Sequence, residues 1–527
     1  MTASTARSTD LAPWSAPAVP GLAGLLDRHA RIRPAAPALI VGEDRVPVSY
    51  GALAALAEDV AAWLSCTGLR AGDAVGLVSA DTVEFVAALL GAARAGLVTA
   101  PLDPALPGPQ LSARLAAIGA QAVLTGDPSV AGAPPEVRIP AWPVRAEVSR
   151  AGAAALRLPS GARAVRRSRG AAEELTGNDA LVLFTAGTTD AAKAVPLTHA
   201  NVAGSVVRIC ATYRLAPADA TVAVMPFFHG HGLFAGLLSP LATGGTVLLP
   251  ARGRFSAHTF WDDVRAADAT WFTAVPTILA ILLERAAREY PGGQPRLRFV
   301  RTSSAPLNAV TARTFERTFG APLLSAYGMT ETAHQAAGEL LPQDGMLKCG
   351  TVGPATGVDL RIIGADGHER PRGSTGEVWV HGPTVTRGYL GDAAGTARSF
   401  SDGWFHTGDL GSLDADGYLT LTGRIKTLIN RGGEKISPEH VEDVLAGCPG
   451  VVEAAVFAVA DTTYGSRVGA AVVVRDGDAV GPEQILGHCR DRLAPFEVPE
   501  RLDVVSTLPH TAKGGLDRTA VKARYVL

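Results

Sequence analysis

Short apolar runs alternate with longer amphipathic stretches along most of the chain. Two such runs, at residues 73–80 and 97–102, flank a stretch with helical spacing. Asp81 is placed to cap that helix and Gly96 to end it. A strand, a helix and a second strand in this order predict a βαβ unit, and with it a parallel, doubly wound sheet.

The same alternation predicts the rest of a large α/β body. Further strands are expected at residues 122–124, 180–184, 221–225, 245–249, 271–275, 297–303 and 322–327. Further helices are expected at residues 50–64, 111–118, 201–213, 234–241, 277–289 and 309–319. Residues from about 126 to 177 are rich in Ala, Pro, Arg and Gly without a clear period, so we expect a loop region with short strands there.

The pattern changes twice toward the end of the chain. Short strands with glycine turns, at residues 358–363, 375–381 and 419–422, predict a β-rich subdomain over about 350–423. Helices at 438–446 and 482–493 and strands at 451–459 and 467–474 then predict a small α+β domain. The expected organisation is a flexible tail (1–20), an N-terminal body (21–423), a hinge (424–427) and a mobile C-terminal domain (428–527).

Composition argues against several classes of function. The chain has 527 residues, of which 47% are hydrophobic, and a net charge of −2, so we expect large cores and no nucleic-acid partner. The five cysteines are scattered without metal spacing, which fits a reducing, cytoplasmic location. Residues 1–20 lack the apolar segment of a signal peptide, and Pro240 interrupts the longest uncharged run, so no membrane partner is expected.

The stretch at residues 184–199 has the composition of a phosphate-binding loop. It follows a predicted strand and contains Thr185, Gly187, Thr188, Thr189 and Lys193. Free backbone N–H groups and Thr hydroxyls can surround phosphate oxygens, and a lysine ammonium can neutralise their charge. The Walker A spacing is absent, and an ordinary Thr/Gly loop on a sheet would have the same composition. The choice between these interpretations depends on the motifs downstream.

Three later motifs carry residues that suit a nucleotide. In the first, Tyr327 can stack on a base, Thr330 can bond to phosphate and Glu331 can hold Mg²⁺. In the second, Asp409 ends a strand-like segment and can accept hydrogen bonds from ribose hydroxyls, and Arg424 offers a cationic contact. The third is a glycine-rich loop at residues 431–438, at the start of the last predicted domain.

With these four motifs in this order, the chain resembles the adenylate-forming enzymes, a superfamily of acyl-CoA ligases, luciferases and peptide-synthetase adenylation domains. The resemblance runs from about Leu22 to Leu527. It implies that an acid attacks the α-phosphate of MgATP, giving an acyl-adenylate and pyrophosphate. The C-terminal domain then rotates, and a nucleophile, often the thiol of CoA, displaces AMP.

The resemblance also implies a role for each matching position. It assigns the β- and γ-phosphates to Thr185, Gly187, Thr188, Thr189 and Lys193. It assigns further nucleotide contacts to Ser304, Ala305, Tyr327, Thr330, Asp409 and Arg424, and Mg²⁺ to Glu331. Lys193, Thr330 and Glu331 would be catalytic. Lys426 would lie at the hinge, and Gly432 and Gly433 would enter the site in the second conformation.

Within the superfamily, the chain is most similar to oxalate–CoA ligases, through the segments at 228–233, 260–263, 274–277, 302–307 and 329–334. This similarity implies an acid pocket formed by His229, His231, His334 and Ser303. Imidazoles and hydroxyls suit a small, oxygen-rich anion. We expect His229 and His231 to project to one side of an extended segment. A zinc site built from the same histidines would lack support from carboxylates or cysteines.

Two motifs depart from the family pattern. The family motif Pro-Lys-Thr-x-x-Gly-Lys ends in a lysine that bridges the acid and the α-phosphate, but an ungapped alignment places Gly515 there. Lys513, two residues earlier, is the candidate catalytic substitute. Asp190 stands where the family has glycine and puts a carboxylate beside the triphosphate.

Three functions remain open from the sequence. The first is ATP-dependent, AMP-forming activation of an oxalate-like acid, followed by transfer to CoA or another nucleophile. The second is activation of nitrite and its transfer to an aryl amine, which forms a diazo group in natural-product biosynthesis; a small anion pocket and the altered lysine would suit it. The third is a degenerate nucleotide-binding protein with little turnover, which Gly515 and Asp190 would explain.

Overall fold

The predicted βαβ unit lies at the centre of the first sheet. Strands β3 (Ala74–Val78) and β4 (Val98–Leu102) pair in parallel, and helix α3 (Val83–Arg94) connects them. Every position of α3 from Val83 to Ala93 is buried, because packed elements surround this helix. The structure is a computed structural model that describes residues 21–131, 137–163, 175–185, 192–290, 292, 297–475, 480–510 and 516–525.

The first sheet has six strands in the order β10–β9–β4–β3–β5–β6. Its outer strands are β5 (Ala122–Thr125), β6 (Ala141–Pro143), β9 (Asp179–Phe184) and β10 (Ala194–Thr198). Strands β9 and β10 pair antiparallel, and the other neighbours pair in parallel. The predicted phosphate loop therefore connects two strands of a hairpin. Strand β10 was not predicted, and helix α6 begins directly after it.

Two four-stranded sheets complete the α/β body. One has the order β11–β12–β1–β2, with β1 (Pro37–Val41), β2 (Val46–Ser49), β11 (Ala220–Val222) and β12 (Thr246–Leu248). The other has the order β13–β14–β15–β16, with β13 (Trp271–Ala274), β14 (Phe299–Thr302), β15 (Leu323–Tyr327) and β16 (Ala337–Gly338). A separate hairpin pairs β7 (Arg145–Val148) with β8 (Ala154–Arg157), within the region where short strands are expected.

Helices cover these sheets. They are α1 (Asp27–Ile32), α2 (Tyr50–Ser65), α4 (Gly108–Ala117), α5 (Pro128–Ala131), α6 (His199–Thr212), α7 (Ser239–Thr243), α8 (Phe260–Ala266), α9 (Pro276–Glu289) and α10 (Ala309–Phe319). The expected α/β class of the body is confirmed.

Antiparallel strands dominate the part of the chain that follows. One sheet contains β17 (Asp359–Ile363), β18 (Gly376–His381), β19 (Phe400–Ser401), β20 (Trp404–Leu413) and β21 (Leu419–Arg424), with helix α11 (Ala393–Ser399) beside it. A short hairpin, β22 (Ile429–Arg431) with β23 (Glu434–Ile436), begins the small α+β unit. That unit contains β24 (Val451–Asp461), β25 (Gly465–Val474), β26 (Arg501–Val505), α12 (Pro438–Ala446), α13 (Pro482–Arg490) and α14 (Arg518–Tyr525).

The predicted capping role of Asp81 is wrong. Helix α3 begins at Val83 after Thr82, and the buried carboxylate of Asp81 instead accepts a hydrogen bond from the backbone N–H of Phe227 at 2.9 Å. Burial raises the pKa of Asp81 to about 8. Asp81 therefore ties the first sheet to the segment that carries two of the candidate histidines.

Two further local predictions need correction. The segment with His229 and His231 is not extended, because a π-helix covers His231–Leu238 and continues into α7. Strand β20 does not end at Asp409, because it runs through to Leu413 and pairs there with β21. None of the helices in the described ranges combines the length and the apolar character needed to cross a bilayer.

Candidate active site

A tight hairpin after β15 positions several of the candidate residues. Strands β15 and β16 pair antiparallel, with Tyr327 opposite Ala337. The chain between them folds back so closely that a Cβ at Gly328 would lie 2.3 Å from the carbonyl carbon of His334. Glycine is therefore required at this position. The loop carries Thr330 and Glu331 at one end and His334 at the other.

At the base of this loop, Tyr327 meets Asp409. The Tyr327 hydroxyl donates to Asp409 Oδ2 at 2.6 Å, and Arg424 Nε lies 2.8 Å from Asp409 Oδ1. The β20–β21 register makes Asp409 and Arg424 cross-strand partners, which explains their pairing. Burial raises the pKa of Asp409, and Arg424 and the Tyr327 hydroxyl oppose that rise. Each carboxylate oxygen keeps a second lone pair, with which it can accept a ribose hydroxyl.

The candidate phosphate end is organised around Tyr389. The Lys193 ammonium lies 4.0 Å from the centre of the Tyr389 ring, and the Tyr389 hydroxyl donates to Glu331 Oε1 at 2.9 Å. Thr185 Oγ1 accepts the backbone N–H of Lys193 at 3.1 Å, which closes the base of the β9–β10 loop. Gly187, Thr188 and Thr189, predicted to bind phosphate, lie outside the described residues, as does Lys513.

The surroundings of Glu331 fit a magnesium ligand. Its side chain is buried, and burial raises its pKa, while the bond from Tyr389 and the charge of Lys193 oppose that rise. Mg²⁺ in nucleotide sites is held by one or two carboxylates together with phosphate oxygens and water. A single buried carboxylate beside a lysine meets this requirement. No group of three or more His, Cys, Asp or Glu side chains in the described ranges has the geometry to hold a metal by itself.

At the other end of the loop, the three candidate histidines converge. The His334 ring lies with its centre 5.4 Å from that of His229 and 5.4 Å from that of His231. Ser304 Oγ lies 3.1 Å from His231 Nδ1 and 3.5 Å from His334 Nε2. Burial holds the pKa of His231 well below its ordinary value, and the positive charge of Arg301 lowers it further. Both effects favour the neutral imidazole of His231.

Strained backbone angles occur beside the three histidines. Ser304, Ala333 and His334 have left-handed φ angles of +74°, +47° and +64°. Non-glycine residues in this region cost about 1–3 kcal/mol each and persist where the surrounding structure holds them, often at functional sites. Ser304, expected at the nucleotide, contacts the histidines, and Ala305 beside it is exposed. Ser303 is buried, and its hydroxyl has no hydrogen-bond partner among the described residues.

The predicted hinge and second-step loop lie on the surface. Lys426 is exposed within a short 3₁₀ turn, Ile425–Thr427, that follows β21. Gly432 and Gly433 form the turn between β22 and β23, with φ angles of +59° and +100° that favour glycine. Their movement during catalysis stays a prediction.

Three residues of the site were missed by the sequence reasoning. Tyr389 had a usable signal, as the aromatic residue of a glycine turn, Arg387–Leu390, between predicted strands. Arg301 is the one charged residue of β14, and an isolated cation in a buried strand is a signal for a polar site. Thr273 in β13 has no signal, because threonine is common in strands.

Comparison with known proteins assigns the chain to a family. The model of the AMP-binding enzyme family matches residues 26–390, and the model of the AMP-binding enzyme C-terminal domain matches residues 440–514. The chain belongs to the AMP-binding enzyme family.

Relatives of this AMP-binding enzyme include acid–CoA ligases. An oxalate–CoA ligase of Arabidopsis thaliana is 41% identical over 515 residues, covering 96% of this chain and 98% of the relative. A sulfoacetate–CoA ligase of Cupriavidus necator is 33% identical over 503 residues, covering 94% of this chain and 96% of the relative. With the family match, these relatives make the chain an AMP-forming ligase of the acid–CoA ligase type.

Solved structures agree on the fold over nearly the whole chain. ATP-bound MatB from Rhodopseudomonas palustris has a TM-score of 0.81 and 30% identity, covering 95% of this AMP-binding enzyme and 99% of that chain. An o-succinylbenzoate CoA synthetase from Bacillus subtilis, in complex with ATP and magnesium ion, has a TM-score of 0.78 and 28% identity. The match covers 95% of this AMP-binding enzyme and 99% of that chain. The expected body with a smaller C-terminal unit is confirmed.

Gly230 offers a test of how His334 is held in this AMP-binding enzyme. A Cβ at Gly230 would lie 2.9 Å from His334 Cδ2, so Gly230→Ala must displace the imidazole. We expect the KM for oxalate, as the test acid, to rise about tenfold or more while the KM for ATP is unchanged, because misplacing one contacting group by about 1 Å is costly. AMP release measures both constants.

The matched control is Gly236→Ala in the following π-helix. There the added Cβ would meet only Thr273 Cγ2 at 4.0 Å, an ordinary contact, so the KM for oxalate should keep its wild-type value. Equal effects of the two substitutions would show that His334 does not position the acid.

Proposed function

We propose that this ligase activates a small polar acid, oxalate or a close analogue, as an acyl-adenylate and passes the acyl group to CoA. The observation that carries the proposal is the convergence of His229, His231 and His334 near Ser304. Imidazoles and hydroxyls can surround an oxygen-rich anion with hydrogen bonds, whereas a long acyl chain needs an apolar lining. The names of two relatives, an oxalate–CoA ligase and a sulfoacetate–CoA ligase, support an acid of this size.

The nucleotide is proposed to lie along the loop that follows β15. Asp409 and Arg424 bind the ribose, and the Tyr327 ring lies against the adenine. Thr330 contacts the α-phosphate, and Lys193 with the β9–β10 loop binds the β- and γ-phosphates. This order places the α-phosphate between the nucleotide end and the histidines, where a bound carboxylate can attack it.

Catalysis in this arrangement is positioning and charge stabilisation. Negative charge develops on phosphoryl oxygens during transfer, so cations that are already in place lower the barrier. Lys193 supplies one such cation, and Tyr389 holds it beside Glu331. Magnesium bound at Glu331 would neutralise and orient the phosphates. Rotation about Lys426 would then bring Gly432 and Gly433 to the adenylate for the transfer step.

A substrate panel tests the proposed function. The purified protein receives MgATP with oxalate, with other small acids or with nitrite plus an aryl amine, each with and without CoA. We expect AMP release with oxalate or a close analogue that requires CoA, together with the acyl-CoA product. AMP release that requires nitrite and the amine would replace the proposal with the diazo-forming reaction. ATP binding without AMP under any condition would mean a degenerate protein.

The link between Tyr389 and Glu331 gives a second test. Tyr389→Phe removes the hydroxyl that donates to Glu331 and keeps the ring beneath Lys193. Loss of a hydrogen bond to a charged group is worth about 1.5–3 kcal/mol. We therefore expect the Mg²⁺ concentration for half-maximal AMP release to rise about tenfold.

Tyr418→Phe is the matched control for this test. The ammonium of Lys348 lies 4.4 Å from the Tyr418 ring, so this position also pairs a tyrosine ring with a lysine but away from Glu331. Its Mg²⁺ dependence should equal that of the wild type. A wild-type response in Tyr389→Phe would remove Glu331 from the proposed magnesium site.

Lys513 is proposed to replace the family lysine that is missing at Gly515. Loss of a transition-state cation typically costs about 10²–10³ in rate, so Lys513→Ala should reduce AMP formation roughly tenfold or more. Single-turnover formation of the adenylate isolates this step. Lys522→Ala, in helix α14, is the control for removing a lysine from the same domain and should have no effect. Unchanged adenylate formation in Lys513→Ala would assign the role to another group.

A further inference from the structure

A buried arginine lies behind the histidines. The guanidinium of Arg301 is fully buried in β14, and no carboxylate of the described residues lies within 4.0 Å of it. Its Nη1 donates to Thr273 Oγ1 at 3.3 Å and its Nη2 to Gln335 Oε1 at 3.3 Å, while Nε has no partner in the described ranges. Burying a cation without a counter-ion destabilises the folded state, so we expect Arg301 to contribute to the function of the site.

Thr273 connects Arg301 to His231 through two hydrogen bonds of its hydroxyl group. The β13–β14 register makes Thr273 and Arg301 neighbours on adjacent strands. The Thr273 hydroxyl is buried and has two partners among the described residues, Arg301 Nη1 and, at 2.6 Å, His231 Nε2. A guanidinium can only donate, so the oxygen accepts from Arg301. The single hydroxyl proton then goes to His231 Nε2, because a buried hydroxyl needs an acceptor.

This direction fixes the tautomer of His231. Since Nε2 accepts, the proton of the neutral ring is on Nδ1, which lies 3.1 Å from Ser304 Oγ and donates to it. Ser304 thus accepts from His231, and its own proton can go to His334 Nε2, 3.5 Å away, or to an acceptor that enters the pocket. Ser304 is exposed, whereas the other members of the chain are buried, so the chain runs from the interior to the open end of the pocket.

We propose that Arg301 and Thr273 are positioning residues that fix His231 as the Nδ1–H tautomer, so that the Ser304 hydroxyl donates to an anionic group that the acid keeps after activation. This inference rests on the proposed function. Formation of the adenylate uses one carboxylate of the acid, and only an acid with a second anionic group still offers negative charge to the pocket. The substrate class is therefore a small acid with two anionic groups, such as a dicarboxylate.

The tautomer is tested in the full-length protein without substrate. Selective ¹⁵N labelling of histidine ring nitrogens, with His231 assigned by the signals lost in His231→Asn, distinguishes a protonated from an unprotonated ring nitrogen. We expect a protonated Nδ1 and an unprotonated Nε2. Thr273→Val should convert this into a mixture of tautomers, and Thr273→Ser, which keeps the hydroxyl, should not. A protonated Nε2 in the wild type would overturn the proposal.

Selectivity tests the substrate class. The ratio of kcat/KM for oxalate to that for acetate is compared in the wild type, Thr273→Val, Thr273→Ser and Arg301→Met. Thr273→Val and Arg301→Met should lower this ratio about tenfold or more through the KM for oxalate. Thr273→Ser should keep the wild-type ratio. Circular dichroism checks that each variant folds, and Thr273→Val, which keeps the size and shape of the side chain, decides the outcome if Arg301→Met does not fold.

The outcomes separate this inference from the proposed function. An equal loss for oxalate and acetate in Thr273→Val would mean a purely structural role and overturn the inference. If the wild type uses no acid with two anionic groups, the substrate class and the proposed function fail together. In that case the histidine signals still report whether Arg301 and Thr273 set the tautomer.

Discussion

The close approach of Gly328 to the backbone of His334 is the constraint on which the site depends. Because no side chain fits between them, the chain can reverse sharply and one loop can reach both ends of the pocket. Tyr327, Glu331 and His334 then meet Asp409, Tyr389 and Ser304, which come from separate parts of the chain. The spacing between Glu331 and the three histidines is thus set by a local feature of the backbone.

Charge is arranged differently at the two ends of this loop. Buried carboxylates, Asp409 and Glu331, occupy the proposed nucleotide end, where burial raises their pKa values and nearby cations oppose the rise. The histidine end has no such carboxylate in the described contacts, and a buried guanidinium, Arg301, lies behind it. The first end is suited to hydroxyl groups and a metal cation, and the second to an anion. The proposed nucleotide and the proposed acid would therefore meet different electrostatic surroundings at the two ends.

Many helices and strands could be predicted because their buried positions recur in the sequence with the period of the element. Helices α10 and α12 have the predicted bounds for this reason. Strand β10 was missed because Pro196 argues against a strand, yet proline is tolerated at the edge of the sheet, where β10 lies. Strand β16 has two residues, too few to show any period. In the site, motifs indicated the candidate nucleotide residues, but the contact of Thr273 with Arg301 depends on the pairing of β13 with β14, which no local pattern encodes.

The left-handed backbone at Ala333 and His334 bears on how this pocket can change during evolution. Branched side chains such as valine and isoleucine are strongly disfavoured at such angles, so few substitutions are tolerated at these two positions. His229 has no such restriction, since its φ angle is not among the positive values. Given the proposed role of these histidines, new acid specificities would therefore arise more readily by replacement of His229 than of His334.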